Sequence, residues 1–243
     1  MQLIKLDATD STNDYLKSAL STDSLVDFTV VATERQLKGK GQRGAKWQSE
    51  PGKNLTFSVL KRGLDLPVSD NFILNIGVSL AVFNTLKSFQ VPDLSIKWPN
   101  DILSGTSKIC GILIENLILG SKVTTSVLGI GLNVNQLDFD TLQNATSLKL
   151  LLGKTFNLEE LLVQVVENLK VVFKKWEEEG ANYLWTIYET VLFRKDKAST
   201  FEDQSGNLFM GFIRGVSKEG KLILALEDNI MKEFNLKEVQ LRY

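Results

Sequence analysis

At 243 residues, 43% hydrophobic and 23% charged, the chain is large enough for one globular domain, or one domain with a small appendage. Its formal net charge of −1 and sequence pI near 5.7 give no global signal for nucleic acid or an anionic membrane. With no histidine and one cysteine, Cys110, it excludes Ser-His-Asp triads, imidazole bases, His-ligated or thiolate metal clusters and any intrachain disulfide.

Taken in chain order, Leu3 to Leu6 predicts a short strand, too short an apolar stretch for a signal peptide. Asp10-Ser11-Thr12-Asn13 supplies a polar cap for a helix through Tyr15, Leu16 and Leu20. Phe28 to Ala32 reads as a buried strand, and Leu55 to Leu60 alternates like a half-buried one. Between them runs Gln36 to Lys53, dense in glycine and cations. Phe72, Ile73, Ile76, Leu80, Phe83 and Leu86 recur at helical spacing, which predicts a core helix from about Ser69 to Phe89. Strands follow at Leu94 to Trp98, Ile109 to Leu119 and Val123 to Ile130, the last two joined by a tight hairpin at Gly120-Ser121. Leu158 to Trp176 is a long amphipathic helix and Tyr183 to Leu192 a shorter one. From Lys197 onward, short strands broken by Gly206, Gly215, Gly220 and Asp228-Asn229 predict a small all-β unit that packs against the rest. No apolar run approaches the roughly 20 residues that span a bilayer, so a soluble, cytoplasmic protein with no membrane partner is expected.

Four local features carry chemistry. In Gln36-Leu-Lys-Gly-Lys-Gly-Gln-Arg-Gly-Ala-Lys-Trp47, close-set glycines free backbone amides to approach a ligand, and Lys40, Arg43 and Lys46 stand ready for a polyphosphate. The spacing fits neither a Walker loop nor a dinucleotide fingerprint, and a basic surface turn or non-specific nucleic-acid contact would read the same way. Lys97-Trp-Pro-Asn-Asp101 sets polar groups at a strand end, as a capped turn also would. Lys108, at the mouth of the apolar run to Glu115, reads either as a surface lysine or as a charge aimed at a ligand; Gly111 marks a possible close approach. Leu128-Gly-Ile-Gly-Leu-Asn133 is a glycine-bearing strand, equally a bulged core strand. Cys110, in its apolar setting, is expected to pack rather than react.

In this order, Asp10-Ser-Thr-Asn13, Gly39-Lys-Gly-Gln-Arg-Gly44 with Trp47, Lys97-Trp-Pro-Asn-Asp101, Lys108 to Glu115 and Gly129-Ile-Gly-Leu-Asn133 resemble the biotin protein ligase family, over essentially the whole chain. The resemblance implies an α+β catalytic domain, a mixed β-sheet flanked by helices like that of class II aminoacyl-tRNA synthetases, over residues 1–192. It implies a small SH3-like β-barrel over residues 193–243. The implied activity is a ligase that joins biotin to ATP as biotinyl-5'-AMP and passes biotin to a lysine of a biotin carboxyl carrier protein, of acetyl-CoA carboxylase or another biotin-dependent carboxylase. Biotin, ATP and Mg2+ as the ATP complex are the small partners, with no resident metal. Because the catalytic pattern begins at Met1, neither a DNA-binding domain nor repressor activity is expected; a homodimer is left open.

Implied biotin contacts are Ser11, Thr12, Asn13, Gln36, Gly39, Lys40, Gly41, Gln42, Lys108, Gly111 and Ile112; implied ATP contacts are Lys40, Gln42, Arg43, Trp47, Asn100, Lys108 and Asn133. Lys108, Arg43 and Asp101 are the implied catalytic residues. The chain departs from the family in carrying Lys40, Gln42 and Ala45 where arginines are frequent, which shifts anion stabilisation onto Arg43. The chemistry suits a histidine-free protein: biotin's carboxylate is ionised at pH 7, whereas the carrier amine, pKa near 10.4, must lose a proton, for which Asp101 is the candidate acceptor. A lipoate or octanoyl transferase of the same superfamily, a non-catalytic biotin- or nucleotide-binding regulator, and an RNA-binding protein are the alternatives.

Overall fold

The computed structural model describes residues 2–21, 24–139, 142, 144–227 and 230–243, with the backbone alone at Arg43. Eight strands form the main sheet: β1 (Leu3–Thr9), β2 (Val30–Gln36), β3 (Leu55–Lys61), β4 (Leu66–Pro67), β5 (Leu94–Lys97), β6 (Asp101–Ser104), β7 (Ser107–Leu119) and β8 (Lys122–Leu132). Their order is β1-β2-β3-β8-β7-β6-β5, with β4 paired to β8; only β1 and β2 run parallel, so the sheet is mixed. The helices are α1 (Thr12–Ala19), α2 (Phe72–Ser88), α3 (Leu148–Leu152), α4 (Leu158–Glu179) and α5 (Ala181–Thr190).

One face of the sheet carries most of the core. Leu55, Phe57 and Val59 of β3 and Leu128, Ile130 and Leu132 of β8 pack with α2 and α4 residues such as Ile76, Leu80, Val165 and Leu169. On the opposite face a small cluster, Leu16, Leu25, Val31, Leu60 and Val127, seats α1 against the sheet. Covered from both sides, all seven residues of β3 are buried, and the half-buried alternation expected for Leu55 to Leu60 is corrected. The alternation is nevertheless chemical: Thr56 and Ser58 lie on the α1 face, between apolar residues of the other. The strand expected from Phe28 begins at Val30, because Phe28 itself turns at φ 56°. No described helix is long and apolar enough to cross a membrane.

Beyond α5, β9 (Ala198–Asp203), β10 (Leu208–Val216), β11 (Leu222–Ala225), β12 (Met231–Phe234) and β13 (Val239–Arg242) form a five-stranded antiparallel sheet in the order β12-β11-β10-β9-β13. Among the described residues β12 and β13 do not pair, so this sheet is open where a closed barrel was expected. The turn expected at Asp228-Asn229 lies outside the described residues. The indole Nε1 of Trp98 donates to Gly220 O at 2.8 Å, and Ile96 exchanges backbone hydrogen bonds with Val191 and Phe193, so the two sheets are fastened together at the end of β5.

Candidate active site

The α1 face is covered by α1 at one end and left open over the rest of β3, β8 and β7. There the sheet presents glycine: Gly111 of β7 lies directly opposite Gly131 of β8, and Gly129 opposite Leu113. Register is unbroken from Cys110 to Leu117, so the glycines of β8 form a floor without side chains and not the bulge the sequence allowed. A cavity of about 550 Å³ stands on this floor. Its far wall is the second sheet, with Glu202, Asp203, Gln204 and Gln240 among the lining residues.

At one end, Ser11 caps α1 by accepting from Asp14 N at 3.4 Å, which frames Thr12 and Asn13 over the sheet. Gln36 Oε1 accepts from Thr12 N at 2.8 Å and from Thr12 Oγ1 at 3.2 Å. That leaves the Gln36 amide NH2 as a donor for a ligand. Ser58, a residue with no signal in the sequence, lies 2.5 Å from Asn13 Oδ1, to which it donates, and 2.7 Å from Thr12 Oγ1. Gly129 is required beneath this cluster, because a Cβ there would come within 2.4 Å of Asn13 Oδ1.

The glycine-rich segment forms a narrow flap. Trp47 N donates to Gly39 O at 3.0 Å and Gly41 N to Ala45 O at 2.7 Å, around a single 3-10 turn at Gln42–Gly44. Gly39 permits the legs to meet; a Cβ there would stand 2.3 Å from Trp47 O. The Trp47 ring lies on the glycine floor, where a Cβ at Gly131 would be 2.4 Å and one at Gly111 3.0 Å from its ring atoms. Its Nε1 is buried with no hydrogen-bond partner among the described residues. A buried, unpaired donor costs about 1–3 kcal/mol, so a ligand that offers an acceptor there is favoured.

At the other end, the β5–β6 hairpin turns through a cis Trp98–Pro99 bond. Asp101, expected in a turn, opens β6 and accepts from Lys108 Nζ at 2.7 Å. Asn100 binds the backbone of β7 twice: its side-chain amide donates to Ile112 O, and its carbonyl accepts from Ile112 N at 3.1 Å. Lys108 Nζ also stands 5.6 Å from the centre of the Trp47 ring. Burial pushes the Cys110 thiol well up, so it stays protonated and inert.

Of the residues singled out from the sequence, Ser11, Thr12, Asn13, Gln36, Lys40, Gly41, Gln42, Trp47, Asn100, Asp101, Lys108, Gly111 and Ile112 are brought together around this cavity. The side chain of Ile112 belongs to the core. Gly39 stands behind the lining. Asn133, 4% exposed, is likewise off it; its amide donates to Thr146 O at 3.0 Å and its backbone N to Ile109 O at 2.9 Å. The Arg43 side chain lies outside the described residues. Lys40, read from sequence as a cation for a polyphosphate, is paired with Asp14 of α1 at 2.6 Å. The second sheet's wall was missed, since nothing local in Glu202 to Gln204 announces it.

The profile of the biotin/lipoate A/B protein ligase family matches residues 6–133, more than half of the chain. Over 246 residues the chain is 28% identical to the bifunctional ligase/repressor BirA of Escherichia coli, covering 96% of this chain and 72% of that protein. It is 27% identical to the biotin--[acetyl-CoA-carboxylase] ligase of Mycobacterium tuberculosis over 226 residues, 92% of this chain and 83% of that one. Among solved structures, the biotin protein ligase from Aquifex aeolicus in complex with biotin and ATP superposes with a TM-score of 0.78 at 27% identity, covering 99% of this chain and 98% of the other. The chain belongs to the biotin/lipoate A/B protein ligase family.

Proposed function

We propose that this protein is a biotin protein ligase, which activates biotin with ATP and transfers it to a carrier lysine. The observation that carries this reading is the glycine floor of Gly111, Gly129 and Gly131 with an amide-and-hydroxyl cluster at one end and Lys108 at the other. A bicyclic urea calls for neutral donors and acceptors over a flat surface, and its carboxylate for a cation across it. Thr12, Asn13 and Gln36 supply the first, Lys108 the second. In the first step a carboxylate oxygen of biotin attacks the α-phosphorus of ATP, and the bond to the bridging oxygen breaks to release pyrophosphate. No base is needed, because the nucleophile is already an anion. The protein holds two anions together and offsets their charge through Lys108, the flap amides and, in our reading, Arg43.

In the second step the carrier amine attacks the acyl carbon, AMP leaves with the bonding electron pair, and the amine proton passes out. We assign Asp101 to orient that amine or take its proton, since its carboxylate borders the cavity beside Lys108. The flap keeps water from the mixed anhydride. Trp47 is assigned to the adenine side of the cavity, and Asn100 to fixing β7 beneath ATP. We assign Asn133 to bracing rather than to the nucleotide. Magnesium enters with the ATP phosphates as part of the substrate; among the described residues no three His, Cys, Asp or Glu side chains gather as a metal site.

We further propose units 1–192 and 193–243, the second SH3-like in strand count though open. A carboxylase carrier domain fits the outer edge of β7 beyond Ile112, where no named strand pairs and Leu117, Ile118 and Leu119 are exposed. The family's name covers lipoate as well as biotin. Pyrophosphate exchange into ATP separates the two readings: biotin should drive it, and exchange driven by lipoate or octanoate alone would overturn the proposal.

A further inference from the structure

We propose that Asp14 is a positioning residue for the flap, tying Lys40 to α1 and so holding the flap over the cavity. Asp14 Oδ2 is 2.6 Å from Lys40 Nζ, and Asp14 Oδ1 is 3.0 Å from Lys17 Nζ. Lys17 Nζ reaches Glu115 Oε1 at 2.6 Å, Glu115 Oε2 accepts from Asn13 Nδ2 at 2.7 Å, and Asn13 Oδ1 accepts from Ser58. Two cations and two carboxylates thus alternate from the flap to the amide cluster of the cavity. Within this row the Lys40 charge is matched by Asp14, as that of Lys108 is by Asp101.

Partial burial pushes the Asp14 carboxyl up, but the bonds from Lys40 and Lys17 outweigh it and hold it below its ordinary value, so it is ionised throughout the neutral range. A second pair, Lys38 to Asp10 at 2.7 Å, secures the flap's base, but both partners are largely exposed and it is the weaker fastening. Asp14 is the member of the row that touches the flap, and it touches no reactant in the mechanism above. Its effect is therefore on how long the flap stays down, not on the bonds made.

This rests on the biotin ligase reading only for its second half, and the test keeps the halves apart. Amide hydrogen exchange of the ligand-free full chain is followed over residues 38–47 in the wild type, Asp14→Asn, Asp14→Glu, Lys40→Met and the Lys40→Met/Asp14→Asn double variant. Asp14→Asn should speed flap exchange about two- to fivefold, the scale of a half-exposed pair. Asp14→Glu should restore protection, and the double variant should be no faster than Lys40→Met. Biotin should then leave Asp14→Asn faster by a similar factor, with KM for biotin raised and kcat for pyrophosphate exchange within twofold of wild type. Unchanged exchange in Asp14→Asn overturns the proposal, and so does tighter biotin binding, the sign expected if freeing Lys40 lets it grip an anion. A wild-type chain that takes up no biotin sinks the functional reading, while the ligand-free exchange still decides the tether.

Discussion

Lys108→Ala removes the cation on which the proposed activation step depends. The ammonium stands 2.7 Å from Asp101 and 5.6 Å from the centre of the Trp47 ring, at the cavity end opposite Thr12 and Gln36. As the carboxylate approaches the phosphate, negative charge gathers between two reactants, and one preorganised donor aimed at it is worth about 2.7–4 kcal/mol. Biotin-dependent exchange of labelled pyrophosphate into ATP should therefore fall about 100- to 1000-fold. The fold should barely notice. The Lys108–Asp101 pair is about a third exposed on the lysine side, so its contribution to stability is about 0–1 kcal/mol, or at most about 2–4 °C in Tm for a chain of this size. Exchange within tenfold of wild type, in a variant whose Tm has not moved, would refute the role given to Lys108.

Gly131→Ala should force the Trp47 indole off the floor, because the new Cβ would stand 2.4 Å from Cε2, and only a side chain has to yield. KM for ATP should rise about tenfold, a loss of about 1.4 kcal/mol, with far-ultraviolet circular dichroism unchanged; unaltered KM would remove Trp47 from the nucleotide. Asn133→Ala should lower Tm by a few degrees, since Thr146 O loses its buried partner at about 1–3 kcal/mol, and leave KM for ATP alone. A selective rise in KM at constant Tm would return Asn133 to the ligand. For Cys110 the sign is set by a folded-state pKa above the thiol's ordinary 9.0. The native thiol stays protonated while the unfolded one ionises as pH rises to 9, so iodoacetamide should label the denatured chain at pH 8.5 at least about tenfold faster than the native one. Equal rates would mean the thiol is not buried.

Long periodic segments were legible because burial is decided within the segment. The pattern from Phe72 to Leu86 becomes α2, and Leu158 to Trp176 becomes most of α4. The motifs fell at the cavity's two ends, where Ser11 caps α1, Gly39 and Trp47 close the flap and Lys108 lines the wall, but each also allowed a plain surface reading, and it was the family resemblance that supplied their roles. Short elements escaped. β6 is four residues after a proline turn, and α3 five residues of near-uniform leucine, too brief for either period to declare itself. β3 misled because its alternation separates two covered faces and not an inside from an outside.

What no reading of neighbours could supply is pairing across the chain. The partnership of Lys40 with Asp14 joins the flap to α1 across the whole of β2, and on our proposal it is a fastening. Ser58 belongs to the cavity only because β3 runs beneath α1. Glu202 to Gln204 reach it because Trp98 pins the β5–β6 turn to Gly220. The glycines of β8 were visible as glycines, but their use as a floor depends on Gly111 falling opposite Gly131 in register.

The most direct measurement is transfer of labelled biotin by the purified chain, supplied with ATP and Mg2+, onto a carrier domain and onto the same domain with its target lysine changed to arginine. Label should pass to the first acceptor alone, with no transfer of octanoate or lipoate in parallel reactions. A folded protein that leaves the intact acceptor unlabelled, or modifies it with octanoate or lipoate and never with biotin, contradicts the assignment.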